Sequence, residues 1–260
     1  MPRTAPDLSM FSLEGKVALV TGSGRGLGLE IARAMHRAGA HVLLNGRDGA
    51  RLRQAAEGFA GGPAPVSVLP FDVADRGAVR DAFARIGREH GRLDVLVQNV
   101  GQRNRKPLLE FADDEILALL DVDLASGLVL AREAARLMLP QGQGRLIAVT
   151  SVAGQIAKAG DAVYTAAKAG LTGMVRALAA EYGPHGLTSN AVAPGFFATE
   201  TNAAIAADPV AGAYFVQRTP MRRWGRPDEI AGAAVFLASP AASYVNGHVL
   251  VVDGGATILM

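Results

Sequence analysis

A tyrosine and a lysine four residues apart, Tyr164 and Lys168, are the pair in this sequence best suited to move a proton. They open a stretch with helical spacing, in which residues four apart share one face and can meet the same ligand. A free phenol has a pKa of about 10, and a neighbouring ammonium lowers that value by favouring the phenolate. The spacing therefore predicts an acid and base that works near neutral pH. An interface tyrosine beside a solvated lysine is the alternative explanation.

A serine precedes this pair by thirteen residues. Ser151 directly follows the apolar run 145–150, which we interpret as a buried strand. Parallel sheets hold their ligands at the carboxyl ends of the strands, where Ser151 would lie. We therefore expect its hydroxyl to hydrogen-bond the oxygen of a substrate.

A glycine-rich segment follows the first predicted strand and precedes the first predicted helix. Glycines let the backbone turn tightly and approach a ligand, and a helix N-terminus offers N–H groups and a positive dipole end to an anion. The segment therefore predicts a cradle for the pyrophosphate of a dinucleotide. The residues expected to contact the cofactor here are Gly22, Ser23, Gly24, Arg25, Gly26, Leu27 and Gly28. Their spacing is not the usual G-x-G-x-x-G, and a tight turn in any doubly wound protein is the alternative.

The end of the second predicted strand distinguishes the two nicotinamide dinucleotides. An acidic side chain at this place binds a free ribose 2′-hydroxyl, whereas an arginine suits a 2′-phosphate. The sequence here is Asn45-Gly46-Arg47, without a carboxylate. Arg47 favours NADP over NAD, because a guanidinium binds phosphate through charge-assisted hydrogen bonds. Arg47 could also be a solvated surface arginine, and Arg25 a charge that flanks the helix.

Apolar, strand-like runs alternate with stretches of helical spacing along the whole chain. The predicted strands are 16–21, 40–45, 66–71, 93–98, 145–150, 188–193 and 248–252. The predicted helices are 27–38, 48–59, 75–90, 124–139, 164–182 and 227–238. This alternation predicts an α/β fold with a doubly wound parallel sheet of about seven strands and helices on both faces. We expect a single domain over residues 1–260, with 1–12 as a flexible N-terminal tail.

The composition excludes several classes of function. The 260 residues include no cysteine, which rules out disulfides, thiolate metal sites and a cysteine nucleophile. The five histidines are scattered without metal-ligand spacing, so we expect no metal. The formal net charge is only +2 and the arginines are dispersed, so we expect no nucleic-acid partner. No secretory leader or membrane-spanning run is evident, and the cytoplasm is the simplest location.

In their order and spacing, these motifs resemble the short-chain dehydrogenase/reductase family from about residue 13 to residue 255. The motifs that carry the resemblance are the glycine segment, Gln98-Asn99-Val100-Gly101, Ser151, Tyr164-x-x-x-Lys168 and Pro194-Gly195. The resemblance implies a Rossmann-like domain and a metal-free hydride transfer between NADP(H) and a small-molecule alcohol or carbonyl substrate. It also implies a homo-oligomer, a tetramer or dimer, built from the two long central helices and the C-terminal strand.

The resemblance assigns further contacts to the cofactor, including the nicotinamide ribose hydroxyls to Lys168. The other residues so assigned are Asp72 and Val73 at the adenine, Asn99 at the cofactor-side sheet edge, and Pro194, Gly195 and Thr199 near the carboxamide. A helix cap at Asp72, a turn at Asn99 and an N-cap at Thr199 are the structural alternatives.

Two motifs depart from the family pattern. The family's Asn-Asn-Ala-Gly is here Gln98-Asn99-Val100-Gly101, which keeps the central amide and the final glycine, and Asp123 stands where the family has its catalytic asparagine. The implied role of that asparagine is to hold a water that links Lys168 to a proton relay. An ionised carboxylate there would hold the proton on Lys168 more firmly and offset part of its field at Tyr164. We therefore hypothesise a working enzyme with a raised pH dependence.

Three further stretches resemble the bacterial gluconate 5-dehydrogenases within this family, namely 45–48, 193–200 and 218–225. The resemblance implies oxidation of gluconate to 5-ketogluconate with NADP, and the reverse reaction. Arg103, Arg105 and Lys106 follow the fourth predicted strand and could bind a sugar-acid carboxylate or form a solvated basic loop. Relatives that reduce 3-oxoacyl thioesters or other ketones share these motifs. A non-catalytic, NADP-binding regulator is the alternative from another class.

Overall fold

The computed structural model describes residues 7–259, which contain a seven-stranded parallel sheet. The strands are β1 (Val17–Val20), β2 (His41–Gly46), β3 (Val66–Pro70), β4 (Val95–Gln98), β5 (Gly144–Val149), β6 (Leu187–Pro194) and β7 (Val249–Val252). Their spatial order is β3-β2-β1-β4-β5-β6-β7, and every neighbouring pair is parallel. The predicted α/β fold with seven strands is confirmed.

Helices cover both faces of this sheet. They are α1 (Gly26–Arg37), α2 (Gly49–Glu57), α3 (Arg76–His90), α4 (Asp113–Leu120), α5 (Ser126–Met138), α6 (Ala162–Tyr182), α7 (Ala203–Ala207), α8 (Ala211–Gln217) and α9 (Ala231–Ala238). Successive residues of a strand point to opposite faces of the sheet, and each face has its own core. Leu19 of β1 is buried on one face against α3, α5 and α6, and Val20 is buried on the other face against α1, α2 and α9. Burial of one such side chain contributes about 1.5–3 kcal/mol.

The order of the strands reverses at β1, which has β2 on one side and β4 on the other. In open α/β sheets, ligands bind in the crevice outside the carboxyl ends of the strands at such a reversal. The glycine segment follows β1, Asn99 follows β4 and Ser151 lies just beyond β5. The fold therefore brings the predicted chemistry to one edge of the sheet.

Three helices were not predicted from the sequence: α4, α7 and α8. A π-helical turn, Asp121–Ala125, joins α4 to α5 without a break. The helix predicted over 227–238 begins as a 3₁₀ turn, Pro227–Ile230, before α9. Of the expected tail 1–12, residues 1–6 lie outside the described residues, and Ser9–Phe11 form a 3₁₀ turn. No helix described between residues 7 and 259 is both long and apolar enough to cross a membrane.

Candidate active site

The glycine segment forms the turn between β1 and α1. Gly22 and Gly26 have φ angles of +64° and +57°, in the left-handed region that glycine occupies without steric cost. Among residues 7–259, no side chain caps the N-terminus of α1, and the first turn of this helix holds no acidic residue. Its N–H groups and positive dipole end are therefore available to an anion.

Asn99 fastens this turn to the end of β4. Its side-chain amide donates to the carbonyl oxygens of Thr21 and Gly22 at 3.1 and 3.2 Å, and its backbone N–H donates to Thr21 Oγ1 at 3.0 Å. The backbone of Gly28 lies close to the same junction. A Cβ at this position would overlap Asn99 Nδ2 and the Gly22 carbonyl oxygen. The absence of a side chain at position 28 thus lets α1 approach the strand end.

The end of β2 lies beside the glycine turn. The Ser23 hydroxyl donates to the carbonyl of Val20 at 2.7 Å and accepts from the N–H of Asn45 at 3.0 Å, so it is used to join β1 to β2. The Arg47 side chain is 74% exposed, and its Nη1 lies 3.8 Å from Asp72 Oδ2. Such a loose, exposed ion pair is weak, which leaves the guanidinium able to bind a phosphate.

A cleft of about 1210 Å³ connects these elements. The predicted residues that line it are Gly22, Gly24, Arg25, Gly26, Leu27, Arg47, Asp72, Val73, Asn99, Ser151, Tyr164, Lys168, Pro194, Gly195 and Thr199. Ser23, Gly28 and Asp123 do not line it, but each of them lies against a residue that does. Within the described part of the chain, no three His, Asp or Glu side chains are placed to hold a metal ion.

Tyr164 and Lys168 lie in the first two turns of α6, and both are buried. Lys168 Nζ is 5.6 Å from the centre of the Tyr164 ring. Ser151 Oγ accepts the N–H of Ala153 at 3.1 Å, which leaves the hydroxyl hydrogen to donate to a ligand. The two hydroxyl groups and the ammonium thus border one cleft, where they could bind and protonate a substrate oxygen.

Asp123 lies in the π-helical turn and is buried beside Lys168. Its Oδ2 is 3.7 Å from Lys168 Nζ, and its Oδ1 accepts the N–H of Gln102 at 2.6 Å. Burial raises the pKa of Asp123 above its ordinary value, although attraction to Lys168 opposes this shift. Space around the ammonium is limited, since a Cβ at Gly101 would lie 2.8 Å from Lys168 Nζ. Asp123 therefore joins Lys168 to the loop that follows β4.

Two of the three basic residues in that loop are paired with carboxylates. Arg105 Nε donates to both oxygens of buried Asp161, at 2.8 and 3.0 Å. Lys106 Nζ donates to Glu115 Oε2 at 2.6 Å. Their charges therefore serve to hold the loop against α4 and the start of α6.

The third basic residue of the loop, Arg103, lies over the phenol. Its guanidinium carbon is 4.6 Å from the centre of the Tyr164 ring. Within residues 7–259, Arg103 forms no ion pair with a carboxylate. Of the three basic residues, Arg103 thus lies next to Tyr164 without an ion pair, and its charge opposes the rise in the pKa of buried Asp123.

An aromatic cluster on the wall of the cleft was not predicted from the sequence. Phe215 lies at its centre, with ring centroids 4.6 Å from Phe196 and 5.2 Å from Trp224. Lys158 Nζ is 5.4 Å from the centre of the Phe215 ring and 5.6 Å from that of Tyr214. These residues come from separate segments, and the density of aromatic residues between 196 and 224 was the one signal in the sequence.

Comparison with known proteins shows similarity along almost the whole chain. Residues 22–257 match the family model described as enoyl-(acyl carrier protein) reductase. The gluconate 5-dehydrogenase of Gluconobacter oxydans (strain 621H) is 42% identical over 253 residues, which cover 97% of this chain and 98% of that protein. The 3-oxoacyl-(acyl-carrier-protein) reductase FabG of Salmonella typhimurium is 38% identical over 247 residues, which cover 94% and 98%.

A solved structure is similar to this chain in both fold and sequence. The gluconate 5-dehydrogenase of Burkholderia cenocepacia J2315, in complex with NADP and tartrate, superposes on this chain with a TM-score of 0.92 at 39% identity. The superposition covers 97% of this chain and 99% of that one. The sheet and both helical layers therefore belong to one shared fold.

Proposed function

This chain belongs to the short-chain dehydrogenase/reductase family, whose members are oxidoreductases, and we propose that it transfers a hydride between NADP(H) and a sugar acid. The proposed reaction is the oxidation of gluconate to 5-ketogluconate and its reverse. The observation that carries the proposal is that Ser151, Tyr164 and Lys168 border the same cleft as the glycine turn.

The residues of the cleft fit NADP. The glycine turn and the uncapped N-terminus of α1 suit a pyrophosphate, and Arg47 suits a 2′-phosphate. Lys168 would hold the nicotinamide ribose. The remaining proposed contacts are Asp72 and Val73 to the adenine and Pro194, Gly195 and Thr199 near the carboxamide. When bound, the cofactor supplies or accepts the hydride.

The side chains of the protein move the proton. In ketone reduction, the Tyr164 hydroxyl gives its proton to the carbonyl oxygen as the carbon receives the hydride, and in alcohol oxidation the phenolate accepts that proton. The Ser151 hydroxyl donates to the same oxygen and holds it in place. The Lys168 ammonium favours the phenolate by its charge. Such a positioned acid contributes about 10²- to 10⁴-fold to the rate.

Two observations favour a sugar acid as the substrate. The relative from Burkholderia cenocepacia holds tartrate, a hydroxy acid, together with NADP. In this chain, the Arg103 guanidinium lies over Tyr164 and, among residues 7–259, forms no ion pair with a carboxylate. A 3-oxoacyl thioester is the second candidate, because the 38% identity to FabG covers almost the same residues.

The assembly and location are also proposals. Exposed apolar side chains, Leu117 on α4 and Leu128 on α5, would be covered if these helices packed against a second copy. They support a homo-oligomer, a tetramer or dimer. The cytoplasmic location stays a prediction.

A turnover screen tests the proposed function. The purified protein is mixed with NADPH or NADH and with 5-ketogluconate, a 3-oxoacyl thioester or neutral ketones, and oxidation of the cofactor is followed by absorbance. We expect turnover of 5-ketogluconate with a preference for NADPH. Turnover of the thioester alone would favour the second candidate. Tight NADPH binding without turnover of any ketone would support the regulator and overturn the proposal.

A further inference from the structure

We infer that Gln98 and Asp123 together bind one water molecule in a small interior cavity between β4, the π-helical turn and α5. This water makes Gln98 a positioning residue, which acts on the active site through the Asp123–Lys168 pair. The inference goes beyond the proposed function, because it does not depend on which substrate the enzyme reduces.

The cavity lies in the interior of the fold and is distinct from the active-site cleft. Its volume is about 10 Å³, and Tyr164 and Lys168, which border the cleft, do not border it. Its polar walls are the buried side chains of Thr21, Gln98, Asp123 and Ser126. A cavity of about 10–15 Å³ can hold one water where two to four polar groups surround it. The space therefore has the size and the polarity that a single water needs.

Two oxygen atoms on these walls need a hydrogen-bond donor. Among residues 7–259, Gln98 Oε1 and Asp123 Oδ2 are buried and accept no hydrogen bond. The Gln98 amide cannot turn over to relieve this, because its Nε2 donates to the Gly127 carbonyl oxygen at 3.0 Å and the reverse orientation would bring two acceptors together. The other carboxyl oxygen, Asp123 Oδ1, accepts the N–H of Gln102 at 2.6 Å. Leaving both free oxygens without a donor would cost free energy.

The hydroxyl groups on the walls do not supply this donor. The hydroxyls of Ser126 and Thr21 donate to backbone carbonyl oxygens at 2.6 and 3.2 Å, so they offer only lone pairs to the cavity. A water has two hydrogens and can donate one to Gln98 Oε1 and the other to Asp123 Oδ2. The amide oxygen of Gln98 thus anchors a water that solvates the carboxylate of Asp123.

This water would act on the charge of Asp123. Among residues 7–259, Lys168 on α6, whose Nζ lies 3.7 Å from Oδ2, and Arg103 in the loop after β4 favour the carboxylate by their charges. Burial acts in the opposite direction and has the larger effect, so the pKa of Asp123 is raised. A water that donates to Oδ2 favours the carboxylate as well. Gln98 therefore helps to decide whether the group beside Lys168 is charged.

The first measurement locates the water. A high-resolution crystal structure of the enzyme–NADPH complex should show one water within about 3.2 Å of both Gln98 Oε1 and Asp123 Oδ2. Gly127→Ala should remove it, because the added Cβ lies 3.2 Å from Gln98 Oε1 and takes up space in the cavity. This variant keeps both polar side chains, and alanine favours the helix more than glycine does, so α5 should stay folded. A wild-type cavity without a water would overturn the inference.

The second measurement follows the proton on Asp123. Protein with ¹³C-labelled aspartate carboxyls is titrated by NMR in the NADPH complex, and Asp123 is the signal that is missing in Asp123→Asn. In Gln98→Met, which has no amide oxygen to anchor the water, we expect the acid dissociation constant of Asp123 to fall about 3- to 30-fold. Gly127→Ala should lower it in the same way. A constant that is unchanged or higher in both variants would overturn the positioning role of Gln98.

Gln141→Met is the matched control. Gln141 Nε2 also donates to a backbone carbonyl oxygen, that of Leu93 at 2.8 Å, and its Oε1 is also buried without a partner among residues 7–259. Gln141 does not border the cavity, so its replacement should leave the water in place and the titration of Asp123 within about 1.5-fold. Both measurements are made without a substrate. A negative turnover screen would therefore overturn the proposed function and leave this inference standing.

Discussion

Lys168 Nζ lies 3.7 Å from Asp123 Oδ2, and both side chains are buried. The asparagine implied by the family pattern at this position carries no charge, whereas the carboxyl of Asp123 can ionise. Because burial raises the pKa of Asp123, this carboxyl loses its proton at a higher pH than an exposed aspartate does. The pair therefore places an additional ionisable group beside the lysine that faces Tyr164.

Asp123→Asn should change the pH dependence of alcohol oxidation. Above the pKa of Asp123, the carboxylate offsets part of the Lys168 field, so we expect the variant to be faster than the wild type at pH 8. Below that pKa the wild-type carboxyl is neutral too, and the two rates should converge. The difference should not exceed about tenfold, which corresponds to roughly 1.4 kcal/mol. The measurement is kcat against pH for both proteins.

Asp121→Asn provides the matched control for this profile. Asp121 lies in the same π-helical turn, but its side chain is 44% exposed and is paired with Arg76. Its replacement should leave the shape of the pH profile unchanged. If Asp123→Asn also leaves the rate and the profile unchanged, position 123 lies outside the proton relay.

The same carboxyl should also affect the stability of the fold. A raised pKa in the folded state means that folding favours the neutral acid. The stabilisation is complete below the pKa of an unfolded aspartate and is lost as the pH rises through the folded pKa. We therefore expect the free energy of unfolding of the wild type, relative to Asp123→Asn, to decrease from pH 4 to pH 8. Urea titrations at several pH values measure this difference, and an increase with pH would contradict it.

Tyr164→Phe should remove the proton donor and keep the ring. We expect kcat for ketone reduction to fall about 10²- to 10⁴-fold, while NADPH binding, measured by fluorescence, stays within about threefold. Tyr182→Phe, at the other end of α6, is the control and should keep full activity. Full activity in Tyr164→Phe would end the assignment of this phenol as the acid.

Gly28→Ala should destabilise the glycine turn far more than Gly24→Ala. A Cβ at position 28 overlaps Asn99 Nδ2 and the Gly22 carbonyl oxygen, whereas one at position 24 stays 3.5 Å from Arg51 and Leu52. We expect a loss of about 1–3 kcal/mol for Gly28→Ala, and a lower Tm by several degrees. Gly24→Ala should stay within about 0.5 kcal/mol in the same thermal melts. Equal Tm values for the two variants would refute the close approach of α1.

The strands could be predicted because buried parallel strands are continuous apolar runs, as in β1 and β4. The short helices α7 and α8 could not, since few residues carry too little periodicity to indicate a helix. The start of α4, in contrast, carries a helix signal in the sequence. Asp113, Asp114 and Glu115 stand together in its first turn, where acidic residues favour a helix N-terminus.

In the site, the residue types were predictable, but their pairing was not. Tyr164, Lys168 and Ser151 could be found because spacing on a helix and position after a strand place them. Spacing could not show that Asp161 neutralises Arg105 while Arg103 lies over Tyr164, since these contacts join separate segments. The π-helical turn that brings Asp123 to Lys168 likewise follows from tertiary packing.

Arg47→Ala should weaken discrimination between the two cofactors. Among residues 7–259, the one carboxylate that forms an ion pair with Arg47 is Asp72, at 3.8 Å, and the Arg47 side chain is 74% exposed. A phosphate can therefore replace this loose contact at little cost, and it gains a charge-assisted hydrogen bond of about 1.5–3 kcal/mol. We expect KM for NADPH to rise about 10- to 100-fold, and KM for NADH to change by less than threefold, because NADH has no 2′-phosphate.

Arg37→Ala is the control for general electrostatic attraction, because Arg37 is an exposed arginine at the far end of α1 and does not border the cleft. It should leave both KM values within about twofold. The salt dependence gives a second criterion: added salt screens a distant charge more than one in contact with the ligand. If Arg47 contacts the 2′-phosphate, the effect of Arg47→Ala persists at 0.5 M salt. The rise in KM caused by Arg47→Ala could instead disappear at this salt, or be equal for NADPH and NADH. Either result would mean that Arg47 acts at a distance and that another residue binds the 2′-phosphate.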